Sequence, residues 1–95
     1  LYLLPNYNIF EATNGEEAIK IALNNNIDLI FMDIMMPIMN GIDAAIKIKK
    51  IKPDLPIVAV SAYIEKKLIK LDCFDDRYLK PINLYEINNC LKNLL

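Results

Sequence analysis

The chain has 95 residues, 55% hydrophobic and 24% charged, with a net charge of -1; this length makes one domain that buries roughly 60 to 65% of the surface its unfolded form exposes. A mean hydropathy of +0.24 excludes disorder, and Asp28, Asp33 and Pro37 interrupt the best apolar run before it reaches the ~18 residues of a membrane span. The acidic balance argues against direct nucleic-acid binding, which needs a basic field; Lys47, Lys49, Lys50 and Lys52 read as a solvated helix face, and Cys73 and Cys90, without metal spacing or a secretory leader, as reduced thiols of a cytoplasmic protein.

The elements alternate between two hydrophobic periods, which predicts an α/β fold with a parallel sheet. Leu1 to Leu4 is a short apolar start broken by Pro5 and Asn6, and Tyr7 to Glu11 reads as a short strand. Asn14 caps a helix, with Glu17 placed to complete a capping box and Ala18/Ala22 and Ile19/Leu23 stacked at i,i+4. The run Asn24-Asn25-Asn26 stops it. Leu29 to Met32 reads as a strand buried on both faces that ends at Asp33. Gly41 opens a second helix with Ile42, Ala45, Ile46 and Lys49 along one side, and Pro53 and Pro56 bracket its exit. Ile57 to Val60 is the next buried strand and ends at Ser61. A weaker helix carries Ile64, Leu68 and Leu71. A short strand over Arg77 to Leu79 ends at Lys80-Pro81, and a last helix starts at Asn83 with Glu86 as its capping partner, burying Leu84, Ile87, Leu91 and Leu94.

Three successive strands therefore end in Asp33, Ser61 and Lys80. In an open parallel sheet, ligands bind outside the carboxyl ends of the strands, where these side chains should converge. A carboxylate, a hydroxyl and an ammonium at one rim suit phosphoryl transfer, which depends on positioning and on neutralising charge over the phosphoryl oxygens. Asp33 would be the nucleophile, Lys80 the fixed cation and Ser61 a donor to a phosphoryl oxygen. Taken singly, each has a plainer reading: an aspartate after a strand caps a turn, and a lysine before proline is an ordinary loop residue. The combination is what points to chemistry.

The run from Asp28 to Pro37 around Asp33, with Met39-Asn40-Gly41, closely resembles the phosphoacceptor strand and loop of response-regulator receiver domains, the CheY-like family. Val60-Ser61-Ala62, Lys80-Pro81 and the run from Ala12 to Ala18 fall in the right order around it. The resemblance implies a flavodoxin-like open parallel sheet with helices on both faces, over residues 1–95 as one receiver domain. It implies that Asp33 accepts a phosphoryl group from a histidine kinase or a histidine phosphotransfer protein and signals to a downstream effector by switching conformation. It also implies Mg²⁺ held partly by Asp33 and the backbone carbonyl of Met35, and a cis peptide before Pro81. Such a domain is a phosphoacceptor rather than an enzyme, alone or fused to a kinase.

The chain departs from the family at several points. The first strand, most of the first helix and the acidic pair that completes the Mg²⁺ site are expected to lie outside it. In the family's sheet order 2-1-3-4-5 that strand is central, between Tyr7 to Glu11 and Leu29 to Met32. A strand-exchanged dimer could fill the gap, and Mg²⁺ binding to this chain alone should be weak. The switch face places Arg77 where the family often has an aromatic residue, with Tyr78 on the other face of the strand. These departures leave an alternative, a degenerate pseudo-receiver that binds partners without being phosphorylated.

Overall fold

The computed structural model describes residues 7–35, 39–62 and 73–95. The expected helix of Ile64, Leu68 and Leu71 and the start at Leu1 to Leu4 lie outside them. In chain order the elements are α1 (Gly15–Asn24), β1 (Ile30–Asp33), α2 (Gly41–Ile51), β2 (Ile57–Ser61), β3 (Asp76–Leu79) and α3 (Leu84–Leu94). The strands form a parallel sheet in the order β1-β2-β3, with Asp33 opposite Val60 and Ser61 opposite Leu79.

Each helix starts at an asparagine whose side chain accepts from the backbone three residues on, satisfying one of the free amides of a helix N-terminus. Asn14 accepts from Glu17, Asn40 from Asp43 and Asn83 from Glu86. The box is reciprocal only at α3, where Glu86 returns a bond to the Asn83 amide. The box expected at α1 is half formed, because the Glu17 carboxylate instead takes the Thr13 hydroxyl at 3.1 Å.

The core lies between the sheet and the α1 and α2 side. Every residue of β2 is buried, which matches its continuous apolar run. Ala44, Ala45 and Ile48 of α2, all 0% exposed, join the same buried cluster as Ile57 and Ala59. The buried stripe of α2 is thus Ala44, Ala45 and Ile48, whereas Ile46 faces outward. The small alanines let α2 sit close to the sheet, and the i,i+4 spacing of Ala44 and Ile48 sets the face. At the pole away from the strand ends, the Asp75 carboxylate accepts both the Ile57 amide at 2.8 Å and the Lys49 ammonium at 2.7 Å, clamping the start of β2. At the same pole the Lys52 ammonium reaches the α1 carbonyl of Ala22 at 2.6 Å and that of Asn25 at 3.2 Å, supplying the cation that the last turn of α1 lacks.

Three further expectations are corrected. Tyr7 to Glu11 forms no strand, because among the described residues no strand lies beside it to pair with its backbone. β1 is buried on one face only: Met32 is 2% exposed and Phe31 37%, since among the described residues β1 is an edge strand and Phe31 faces a groove. That groove, about 770 Å³, runs between Tyr7 to Ala12 and β1, with Ile21 and Ala22 of α1 along one side and Ile87 and Leu91 of α3 along the other. Finally, the buried residue of α3 is Cys90 rather than the expected Leu84, Ile87, Leu91 and Leu94, and Leu84 is exposed. The helix rests on the sheet edge through Tyr78, whose hydroxyl hydrogen-bonds the Cys90 sulfur. Among the described residues no helix is long and apolar enough to cross a membrane.

The Cys90 and Tyr78 pair gives a pH dependence. Burial pushes the Cys90 thiol above its ordinary value, and the hydrogen bond with Cys90, then partial burial, raises Tyr78. A raised acid contributes stability that is complete below its unfolded value, about 8.5 for a thiol, and is lost as pH rises through the folded value. Denaturant midpoints should therefore fall as pH rises past the ordinary thiol value of about 8.5, and fall less in Cys90→Ala. An equal fall in both proteins would remove Cys90 as the cause.

Candidate functional site

The carboxyl ends of the strands carry the groups that the sequence singles out. Asp33 closes β1, and its two carboxylate oxygens have different partners. Oδ2 receives the Lys80 ammonium at 2.7 Å. Oδ1 accepts the backbone amide of Met35 at 3.0 Å, an Asx turn that points the carboxylate back over its own loop. One side chain thus caps a turn through one oxygen and holds an ion pair through the other. Lys80 comes from the far end of the sheet, and its own amide donates to the Ser61 carbonyl at 2.7 Å. The peptide between Lys80 and Pro81 is cis.

Ser61 is 6% exposed at the end of β2, one position past Val60, the partner of Asp33. Arg77 and Tyr78 lie in the middle of β3, with Arg77 opposite Ala59 and Tyr78 opposite Val60. Alternation along a strand sends them to opposite faces, and Tyr78 is on the α3 side, against Cys90. Met35 is 68% exposed beside the carboxylate.

The Lys80 and Asp33 side chains remain 43% and 37% exposed, so after solvent screening the pair adds about 1 kcal/mol or less to stability. Its value is chemical: it holds a fixed positive charge against a carboxylate at an open rim. As a divalent-ion site the arrangement falls short. Among the described residues no three His, Cys, Asp or Glu side chains gather. Mg²⁺ requires a near-octahedral oxygen set, and Asp33 with the Met35 carbonyl does not make one.

Two glycines shape the site although neither closes a strand. Gly41 donates its amide to the Ile34 carbonyl at 3.1 Å, and a Cβ there would overlap the Asp33 carbonyl oxygen. Gly15 donates to the Met39 carbonyl at 3.1 Å. Neither has a positive φ. The signal available in the sequence was a glycine opening each of two helices, where alanine is the better helix former.

A family model for the response regulator receiver domain matches residues 3–91. The chain is 41% identical over 90 residues to the autoinducer 1 sensor kinase/phosphatase LuxN of Vibrio campbellii, covering 93% of this chain and 11% of LuxN. It is 36% identical over 98 residues to a cyclic di-GMP phosphodiesterase of Thermotoga maritima, covering 95% of this chain and 26% of that protein. It thus spans a minor part of the length of these curated relatives. Among solved structures, the response regulator TrrA of Thermotoga maritima in complex with Mg²⁺ and BeF superposes with a TM-score of 0.87 at 34% identity, over 99% of this chain and 83% of TrrA. The chemotaxis protein CheY4 of Vibrio cholerae, at 20% identity, has a TM-score of 0.88 over 99% of this chain and 82% of CheY4 and bears on the fold alone. A parallel sheet with the family's motifs at its rim, matched over nearly the whole chain, makes this protein a member of the response-regulator receiver domain family, the signalling domains of two-component systems.

Proposed function

We propose that this chain is a phosphoacceptor in a phosphorelay, with Asp33 as the residue modified. One Asp33 oxygen attacks the phosphorus of a phosphohistidine; the P–O bond forms as the P–N bond breaks, leaving a neutral imidazole on the donor once it takes up a proton. Lys80 offsets charge on the phosphoryl oxygens and Ser61 donates to one of them. The observation that carries this reading is the Lys80 to Asp33 contact of 2.7 Å, made across the ends of the parallel sheet by residues 47 apart in sequence. The donor is a histidine kinase or histidine phosphotransfer protein, the reader is a downstream effector, and the setting is the cytoplasm. Incubation with acetyl phosphate and Mg²⁺ should add the mass of one phosphoryl group to the peptide that holds Asp33, and hydroxylamine should remove it. No mass gain under these conditions would overturn the reading.

Lys80→Gln should slow that incorporation on the order of 10²-fold while changing stability by about 1 kcal/mol or less. Rates followed by mass spectrometry beside urea melts check both parts; an unchanged rate would remove Lys80 from the chemistry.

Mg²⁺ binding to Asp33 and the Met35 carbonyl alone is expected to be weak, and this favours a second reading, a pseudo-receiver whose surface binds partners without phosphorylation. The acetyl phosphate experiment separates the two. The groove beside β1 supports a further partner, a second copy of the chain in a strand-exchanged dimer. Light scattering should then give twice the chain mass, and a well-folded monomer would rule the exchange out.

A further inference from the structure

We propose that Gly15 is a positioning residue for the Asp33 site, holding the far end of the loop after β1 against the start of α1; this rests on the phosphoacceptor reading above. Gly15 is the first residue of α1 and is buried. Its φ is not positive, so the backbone there does not call for glycine, and glycine is a poorer helix residue than alanine. What the position requires is space. A Cβ on Gly15 would stand 2.6 Å from the Met39 carbonyl oxygen and 2.8 Å from the Met39 Cβ and Cγ, closer than carbon atoms approach one another. With no side chain in the way, the Gly15 amide, one of the donors a helix N-terminus leaves without an internal partner, bonds the Met39 carbonyl at 3.1 Å.

Met39 is two residues from Gly41, and Gly41 is in contact with the acceptor itself. The Gly41 amide bonds the Ile34 carbonyl at 3.1 Å, and its Cα lies against the Asp33 carbonyl so closely that a Cβ would overlap it. Displacing Met39 therefore moves Gly41, and moving Gly41 shifts the backbone that carries Asp33 and its bond to the Met35 amide. In this reading α1 acts on Asp33 through the loop.

The test compares the chain with Gly15→Ala and with Glu16→Ala, a change at the next, exposed position of the same helix. Gly15→Ala should shift the Gly41 and Met35 amide resonances in ¹H–¹⁵N spectra while leaving those of Val58 and Cys90 in place, and should slow phosphoryl incorporation from acetyl phosphate about tenfold, the scale of effect of a small misplacement of a reacting group. Glu16→Ala should do neither. Gly41 and Met35 resonances that stay at their wild-type positions in Gly15→Ala would overturn the proposal, whatever the melting temperature does. If Gly15→Ala does not fold, the double variant Gly15→Ala/Met39→Gly, which removes the two overlaps with the Met39 side chain, must fold with both resonances displaced; failure to recover overturns it equally. A wild-type chain that takes up no phosphoryl group defeats the phosphoacceptor reading, and the resonance shifts then still decide whether Gly15 holds the loop.

Discussion

Asp33→Asn should abolish phosphoryl incorporation outright and leave the fold nearly unchanged. The amide oxygen can still accept the Met35 amide in place of Oδ1, so the turn after β1 keeps its bond. What disappears is the negative charge opposite Lys80, and that pair is half exposed, so the stability change should stay within about 1 kcal/mol. Incorporation ends because an amide is not a nucleophile toward phosphorus at neutral pH. Intact-protein mass after acetyl phosphate, beside a urea melt, reads both halves. Residual incorporation in the variant would mean that another side chain is modified.

Gly41→Ala should act in the opposite sense, damaging fold and site together. Alanine in place of glycine within a helix ordinarily adds up to about 1 kcal/mol of stability. Here the new Cβ would overlap the Asp33 carbonyl oxygen and stand 2.9 Å from Met32 Cγ. Met32 is 2% exposed, and the carbonyl is main chain at the end of β1, so neither gives way cheaply. Overpacking of this kind costs about 1 to 3 kcal/mol, more when backbone must shift, and straining the Gly41 to Ile34 bond adds about 1 kcal/mol. We expect a net loss of about 3 kcal/mol, a large part of the 5 to 15 kcal/mol typical of a domain, together with loss of phosphoryl incorporation. A urea midpoint equal to or above that of the parent would show that the helix moves aside without harm.

The legible part of the site followed from strand ends. Asp33, Ser61 and Lys80 each close a run whose composition marks a strand, and a parallel sheet brings such ends to one rim. Tyr7 to Glu11 misled because alternation of apolar residues records only what a strand would look like; whether it forms depends on a neighbour distant in sequence. The face of α2 misled for a related reason: Ile46 is larger and more apolar than Ala44, but the close approach of α2 to α1 and β1 admits the alanine. The two glycines show in the sequence only as poor helix starts, because what excludes a side chain at Gly15 is Met39, and at Gly41 the backbone of Asp33. Local propensity contains neither fact.

The Lys52 ammonium on the last carbonyls of α1 has a mechanical consequence. Together with the Gly15 to Met39 bond, it ties α1 to the α2 segment at both ends. A helix pinned at two points cannot tilt about either, so α1 and α2 form a stator. On the other side of the sheet α3 has one buried residue, Cys90. In amide exchange the stator should open as one cooperative block and α3 should open first.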